Sequence, residues 1–207
     1  MIPLGLVLMT SIAFAVGASR LARRQVLVNE LPAVEGLARV DVVCLDKTGT
    51  LTVGEIGFDE AHRLDGLTSP QEEDAAAVLA WYAASPDANA TARSMRTAYP
   101  VISPVVVSGY IPFSSARKWS AVSFAEVPGT WVMGAPEMVF GDAATSSATQ
   151  LGRTVTALAE TGRRTLVLGH ADAVLSEADV DAERLPEGLK AIIVLTFREQ
   201  VRPDAAQ

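Results

Sequence analysis

The sequence predicts an α/β protein with an antiparallel insertion, preceded by one membrane-crossing helix. Three observations lead there. An uncharged apolar run opens the chain, a β-branched run at 39–45 ends on an aspartate, and segments of helical and strand pattern alternate from residue 69 onward.

Residues 2–19 carry no charged side chain, about the shortest run that spans a bilayer's hydrocarbon core. Arg20, Arg23 and Arg24 follow at once, which makes the downstream side cytoplasmic by the positive-inside rule. A signal peptide is the rival, since Ala13, Ala15, Gly17, Ala18 and Ser19 would suit a cleavage site. It would carry its positive charge before the apolar run rather than after it. A buried helix of a soluble protein fits less well, because the run has no polar face. Pro3 and Gly5 predict a helix that is broken near its start.

Composition narrows the rest. The mean hydropathy of +0.27 is high for a soluble protein, and much of the excess sits in this leader. Four arginines and two glutamates leave residues 20–39 at +2, so the remaining body carries −9 of the overall −7. That balance argues against nucleic acid as a partner. One Cys and two His exclude a Cys/His zinc site and an internal disulfide, and His62 and His170 have no sequence cluster around them.

Along the body, 39–45 reads as a buried strand, with Cys44 a small buried residue in it. Ser69-Pro70-Gln71-Glu72 is a capping box opening a helix to about residue 84. A second helix is expected over 90–98, stopping before Pro100. Strands are expected at 105–107, 119–125 and 131–133, the last two joined as a hairpin through Pro128-Gly129. Residues 143–149 read as a loop or helix approach. A helix over 151–161 closes at Gly162, and strands follow at 165–168 and 191–197.

The chemistry concentrates at Asp46-Lys47-Thr48-Gly49-Thr50-Leu51-Thr52. An acidic side chain at the end of a buried strand lies where open α/β sheets place ligands. A carboxylate can attack the terminal phosphorus of a nucleoside triphosphate and hold the phosphoryl as an acyl phosphate. Lys47, the Thr48 and Thr50 hydroxyls and the amides around Gly49 are donors for the transferred oxygens, and Gly49 permits the tight turn that aims them inward. A bare Asp-x-Thr would instead read as a surface turn.

The full string DKTGTLT resembles the phosphorylation signature of P-type ATPases, membrane pumps with a haloacid-dehalogenase-like (HAD-like, Rossmannoid) phosphorylation domain. The resemblance implies that Asp46 is the phosphorylated nucleophile, that ATP is the substrate, and that Asp46 and the Thr48 carbonyl bind Mg2+. Thr48 stands where related phosphatases carry a second Asp as general acid, which implies a longer-lived phosphoenzyme. Tyr110 to Lys118 (YIPFSSARK) resembles the family's nucleotide motif, with Phe113 as the ring stacking on adenine and Lys118 a nucleotide contact. A core aromatic at a strand end is the plain alternative for Phe113. Gly134-Ala135-Pro136-Glu137 matches a family turn, although Met133 stands where many members have a Lys. Gly162-Arg163-Arg164 resembles the Gly-x-Arg segment, making Arg164 the phosphate contact and Arg163 a solvated charge. Arg202-Pro203-Asp204 resembles the return to the phosphorylation domain, with Glu199 as the acidic residue ahead of it.

The implied organisation is a transmembrane helix (1–19), a cytoplasmic stalk (20–39), the first part of the phosphorylation domain (40–54), an inserted α+β nucleotide-binding domain (55–190), and a return into a partial phosphorylation domain (191–207). Later family motifs, among them Gly-Asp-Gly-x-x-Asn-Asp, do not occur in the 207 residues, so the chain is expected to be a fragment of a multi-pass pump that does not complete a cycle alone. Pro3 has no neighbouring Cys, against soft metals. Pro3-Leu4-Gly5-Leu6 and residues 30–38 are most similar to actinobacterial cation pumps, with calcium the implied ion, although Leu4 replaces a Glu that would offer oxygen ligands. A soluble phosphatase of the same superfamily and a non-catalytic nucleotide-binding module stay open as alternatives.

Overall fold

A computed structural model describes residues 4–30, 32–45, 52–66, 69–100 and 106–201, which fall into two compact units divided after residue 46. The first unit holds α1 (Leu4–Arg23) and α2 (Ala33–Leu37). From Gly5 to Arg23, α1 is long and apolar enough to cross a membrane. The Thr10 hydroxyl is satisfied within the helix, its Oγ1 lying 2.9 Å from the Val7 carbonyl and 3.1 Å from that of Leu6. No break occurs at Gly5: the helix is continuous from Leu4 through it, because one glycine costs a helix only about 1 kcal/mol relative to alanine. Pro3 lies outside the described residues. Arg20 and Arg23 occupy the last turn, where positive charge complements the helix dipole.

The strand expected at 39–45 is also absent. Residues 40–45 have no regular secondary structure, and Val40, Val42, Val43 and Leu45 are exposed. Cys44 is exposed rather than buried. A strand of this composition is stable only when ladder partners take up its amides and both faces are covered, and among the described residues nothing pairs with it.

The second unit is built on a six-stranded sheet in the order β1-β6-β5-β4-β3-β2, every pair antiparallel. The strands are β1 (Thr52–Arg63), β2 (Val107–Ile111), β3 (Trp119–Phe124), β4 (Thr130–Gly134), β5 (Arg164–Ala171) and β6 (Lys190–Val201). Helices α3 (Ser69–Ala84), α4 (Ala90–Arg93), α5 (Pro136–Phe140), α6 (Gln150–Glu160) and α7 (Glu177–Asp181) complete it. Two apolar clusters lie on opposite faces. One joins Val78, Leu79 and Tyr82 of α3 to Trp131, Leu168, Ile193, Leu195 and Phe197. The other joins Val139 and Leu151 to Val132, Val167 and Val194. Both faces of the central strands are therefore covered, which is why β3, β4 and β6 read as nearly continuous apolar runs.

Local chemistry explains most boundaries. α3 has the expected extent, and the 90–98 helix becomes α4 followed by a 3-10 turn, Ser94–Thr97. Asn89 caps α4 through the Ala92 amide at 2.9 Å. Thr149 caps α6 through Gly152 at 2.9 Å, and Gly162 closes it at φ +73°. Gly129 turns the β3–β4 hairpin at φ +76°, where a Cβ would stand 2.2 Å from the Ala171 carbonyl oxygen. The strand expected at 105–107 lies instead at 107–111, and residue 105 is not described. β1 had no counterpart in the sequence reading. Its two glycines and three acidic residues do not read as a strand, but it is an edge strand, where charge is tolerated and protects against mispairing. The division expected at residue 191 falls inside β6, which runs on to Val201.

Candidate nucleotide site

Burial on one face of the sheet stops short of a cavity of about 660 Å3. Its walls come from residues far apart in sequence: Ile56 of β1, Tyr82 of α3, residues 87–92 around the start of α4, Tyr110 of β2, Ser120 of β3, Met133 of β4, and 164–166 of β5. Phe113, Lys118, Gly134 and Arg164, singled out from sequence, all line it.

Each is positioned by local structure. Phe113 follows β2 and is 43% exposed, so it is not a core aromatic. The turn behind it is held by Ser114, whose carbonyl accepts the Lys118 amide at 2.7 Å. Lys118 adopts φ +58°, a conformation uncommon for a residue with a Cβ, and its carbonyl accepts the Ala135 amide at 2.9 Å. Gly134 faces the start of β3 so closely that a Cβ would stand 2.3 Å from that of Trp119 and 2.8 Å from the Lys118 carbonyl oxygen. Its contribution is that close approach, which holds the Lys118 turn against the cavity. Arg164 is exposed at the start of β5.

The cavity is apolar within and charged around its lining. Tyr82 is buried, its hydroxyl 3.1 Å from the Trp131 carbonyl oxygen, and burial pushes its pKa far above the ordinary value, so it stays neutral. Burial also raises Tyr110, with Asp87 acting in the same direction. Lys118 and Arg164 supply positive charge, Asp87 and Glu137 negative charge. Asp87, Asn89 and Thr91 were not anticipated from sequence, and Tyr110 joins the lining from the head of the 110–118 motif without an expected role. The one local signal was the N-cap pattern at Asn89, which marks a helix start and carries no ligand information.

Arg163 requires a correction. It is not a solvated charge: its side chain is 22% exposed and its Nε donates to Asp59 at 2.7 Å. Arg163 lies just ahead of β5, which Arg164 opens, and the carboxylate that receives Arg163 lies 104 positions away in sequence. Asp46, Lys47, Thr48 and Thr50 lie outside the described residues. Among the described residues no group of three or more His, Cys, Asp or Glu side chains could hold a metal ion.

No protein-family model matches the chain. Whole-sequence comparison is decisive: "Calcium-transporting ATPase CtpE" of Mycobacterium tuberculosis is 44% identical over 209 residues, covering 100% of this chain. "Probable cation-transporting ATPase exp7" of Streptococcus pneumoniae is 34% identical over 215 residues, again across the whole chain. The chain belongs to the P-type ATPase family. It spans 24% and 25% of the lengths of these two relatives. Two crystal structures of a zinc-transporting PIB-type ATPase match with TM-scores of 0.60 at 20% and 23% identity. They cover 95% and 99% of this chain and 28% and 29% of theirs. That likeness shows the fold, a mixed helix and antiparallel-sheet architecture with an apolar helix ahead of it.

Proposed function

We propose that these residues form the ATP-binding and phosphoryl-accepting part of a cation pump. The observation that carries the reading is the convergence of Phe113, Lys118, Gly134 and Arg164, from three separate segments, on one cavity of about 660 Å3, within the range that small ligands occupy. Phe113 stacks on the adenine, and Lys118 and Arg164 neutralise the phosphates. Asp46 attacks the γ-phosphorus in line: its carboxylate oxygen forms the new P–O bond as the bond to the β-γ bridging oxygen breaks, and ADP leaves. Lys47 and the Thr48 and Thr50 hydroxyls hold the transferred oxygens. An Asp46 carboxylate and a Thr48 carbonyl are hard oxygen donors suited to Mg2+, which would neutralise phosphate charge when bound. Thr48 has no carboxylate that could take a proton from an attacking water, so the acyl phosphate persists.

In the same reading α1 crosses the bilayer with residues after 20 cytoplasmic, and 40–54, 55–190 and 191–207 are respectively phosphorylation, nucleotide and returning phosphorylation segments. Calcium is the proposed cargo, supported by the names of relatives 44% and 45% identical to this chain.

Calorimetric titration of the chain with ATP and Mg2+ tests the nucleotide site. Phe113→Ala should weaken binding by about 1 to 3 kcal/mol, the worth of base stacking on an aromatic ring. Unchanged affinity in the folded variant would remove Phe113 from the site. For catalysis, a protein of the relatives' full length carrying these residues is incubated with γ-labelled ATP. Acid-stable, hydroxylamine-sensitive label that vanishes in Asp46→Asn supports the phosphoenzyme. ATP binding without label would leave a nucleotide-binding module.

A further inference from the structure

β1 pairs with β6 through an irregular register, Phe58 opposite Phe197 and Glu60 opposite Thr196, so that Asp59 is the extra residue of a bulge. A bulge re-aims a side chain that regular alternation would send elsewhere. Here it directs the Asp59 carboxylate toward two guanidinium groups: Oδ2 accepts Arg163 Nε at 2.7 Å and Oδ1 accepts Arg198 Nε at 2.9 Å. The Thr196 hydroxyl lies 3.4 Å from the same carboxylate. Arg163 also donates from Nη1 to Thr161 Oγ1 at 2.9 Å, so one guanidinium joins the end of α6 to the bulge of β1. Between them lies Gly162, at φ +73°. The next residue is Arg164. A second cavity of about 200 Å3 lies beside this cluster and shares Ile56 and Arg164 with the nucleotide cavity.

We propose that Asp59 is a positioning residue for the nucleotide site: by fixing Arg163 it sets the turn at 161–164 so that Arg164 faces the nucleotide's phosphates. Asp59 does not line the cavity, and it acts only through the β5 start. Partial burial tends to raise its pKa, but the hydrogen bonds and charges of Arg163 and Arg198 outweigh this and hold the carboxyl below its usual range. It is therefore ionised at neutral pH, and two charge-assisted bonds make the contact directional.

This rests on the reading that Arg164 contacts phosphate, and the test separates the two. First, without nucleotide, 15N spectra of the 207-residue chain are compared with those of Asp59→Asn and Arg163→Gln. The Arg164 amide should shift in both variants, and the Arg163 Nε–H in Asp59→Asn, while signals from α3 stay in place; unmoved Arg164 signals overturn the proposal. Second, Mg·ATP and adenosine are titrated into each variant. Asp59→Asn and Arg163→Gln should each weaken ATP roughly tenfold, the order expected for losing one hydrogen bond to a charged group, and leave adenosine unchanged. The double variant Asp59→Asn/Arg164→Ala should bind ATP no more weakly than Arg164→Ala. Unchanged or tighter ATP binding in Asp59→Asn, equal losses for ATP and adenosine, or additive losses in the double variant overturn the proposal. If Arg164→Ala alone leaves ATP affinity intact, the phosphate reading of Arg164 fails, whatever the spectra show.

Discussion

Residues 40–45 (VDVVCL) and 191–197 (AIIVLTF) are close in composition and opposite in outcome. The first is exposed and has no regular structure. The second is the core of β6, where Val194, Leu195 and Phe197 are fully buried between β1 and β5. A β-branched run is thus a capacity to form a strand. Ladder partners on both sides and covered faces turn it into one, since an extended backbone with unpaired amides gains nothing from leaving water. A site depends on the same condition: the cavity proposed for the nucleotide stands on the paired strands.

The comparison is broken most directly by charge. Val194→Asp should unfold the sheet domain, because a buried carboxylate without a partner costs more than such a domain's usual margin; circular dichroism would show loss of strand signal, and Val43→Asp should leave it unchanged. Next in size, Leu195→Ala should cost about 2 to 5 kcal/mol in denaturant unfolding, by lost transfer energy and the cavity left behind. Its counterpart Leu45→Ala should fall within about 0.5 kcal/mol. Equal effects would show that 40–45 is packed in solution and would refute the contrast.

Gly134→Ala should cost about 1 to 3 kcal/mol, since its Cβ cannot clear Trp119 without moving strands, and it should weaken ATP binding in the same titration. The smallest effect is a pH dependence. Asp59 has a depressed folded-state pKa, so its contribution is present above the unfolded value of about 3.9 and lost as pH falls through the lower folded value. Wild-type chain should lose more stability between neutral and strongly acidic pH than Asp59→Asn does. Parallel curves would remove Asp59 from the acid response.

Much of the candidate site was legible because its motifs are short and local. Phe113, Lys118, Gly134 and Arg164 were each singled out within a stretch of a few residues, and all four line the cavity. Tyr110 opens the 110–118 motif, but no role for it could be read there; Asp87 was not legible, because it carries no motif and joins the lining only when β2 and the α3–α4 connection meet. Arg163 was misread for the same reason: its partner is a bulge residue on a strand whose glycines and acids conceal it. For the fold, caps and turn residues marked helices and hairpin, whereas β1 and the failed strand at 40–45 depended on neighbours that local pattern does not name.

By itself the sequence determined the apolar helix with its following arginines, the DKTGTLT signature, the hairpin at Pro128-Gly129 and the identities of the nucleotide candidates, all set by residues near one another in the chain. The tertiary structure alone decided which apolar runs became strands, what surrounds Arg163 and Arg164, and where a cavity remained. Those outcomes depend on pairing and close packing between distant segments, and a contact across 104 positions leaves no periodic trace in either segment.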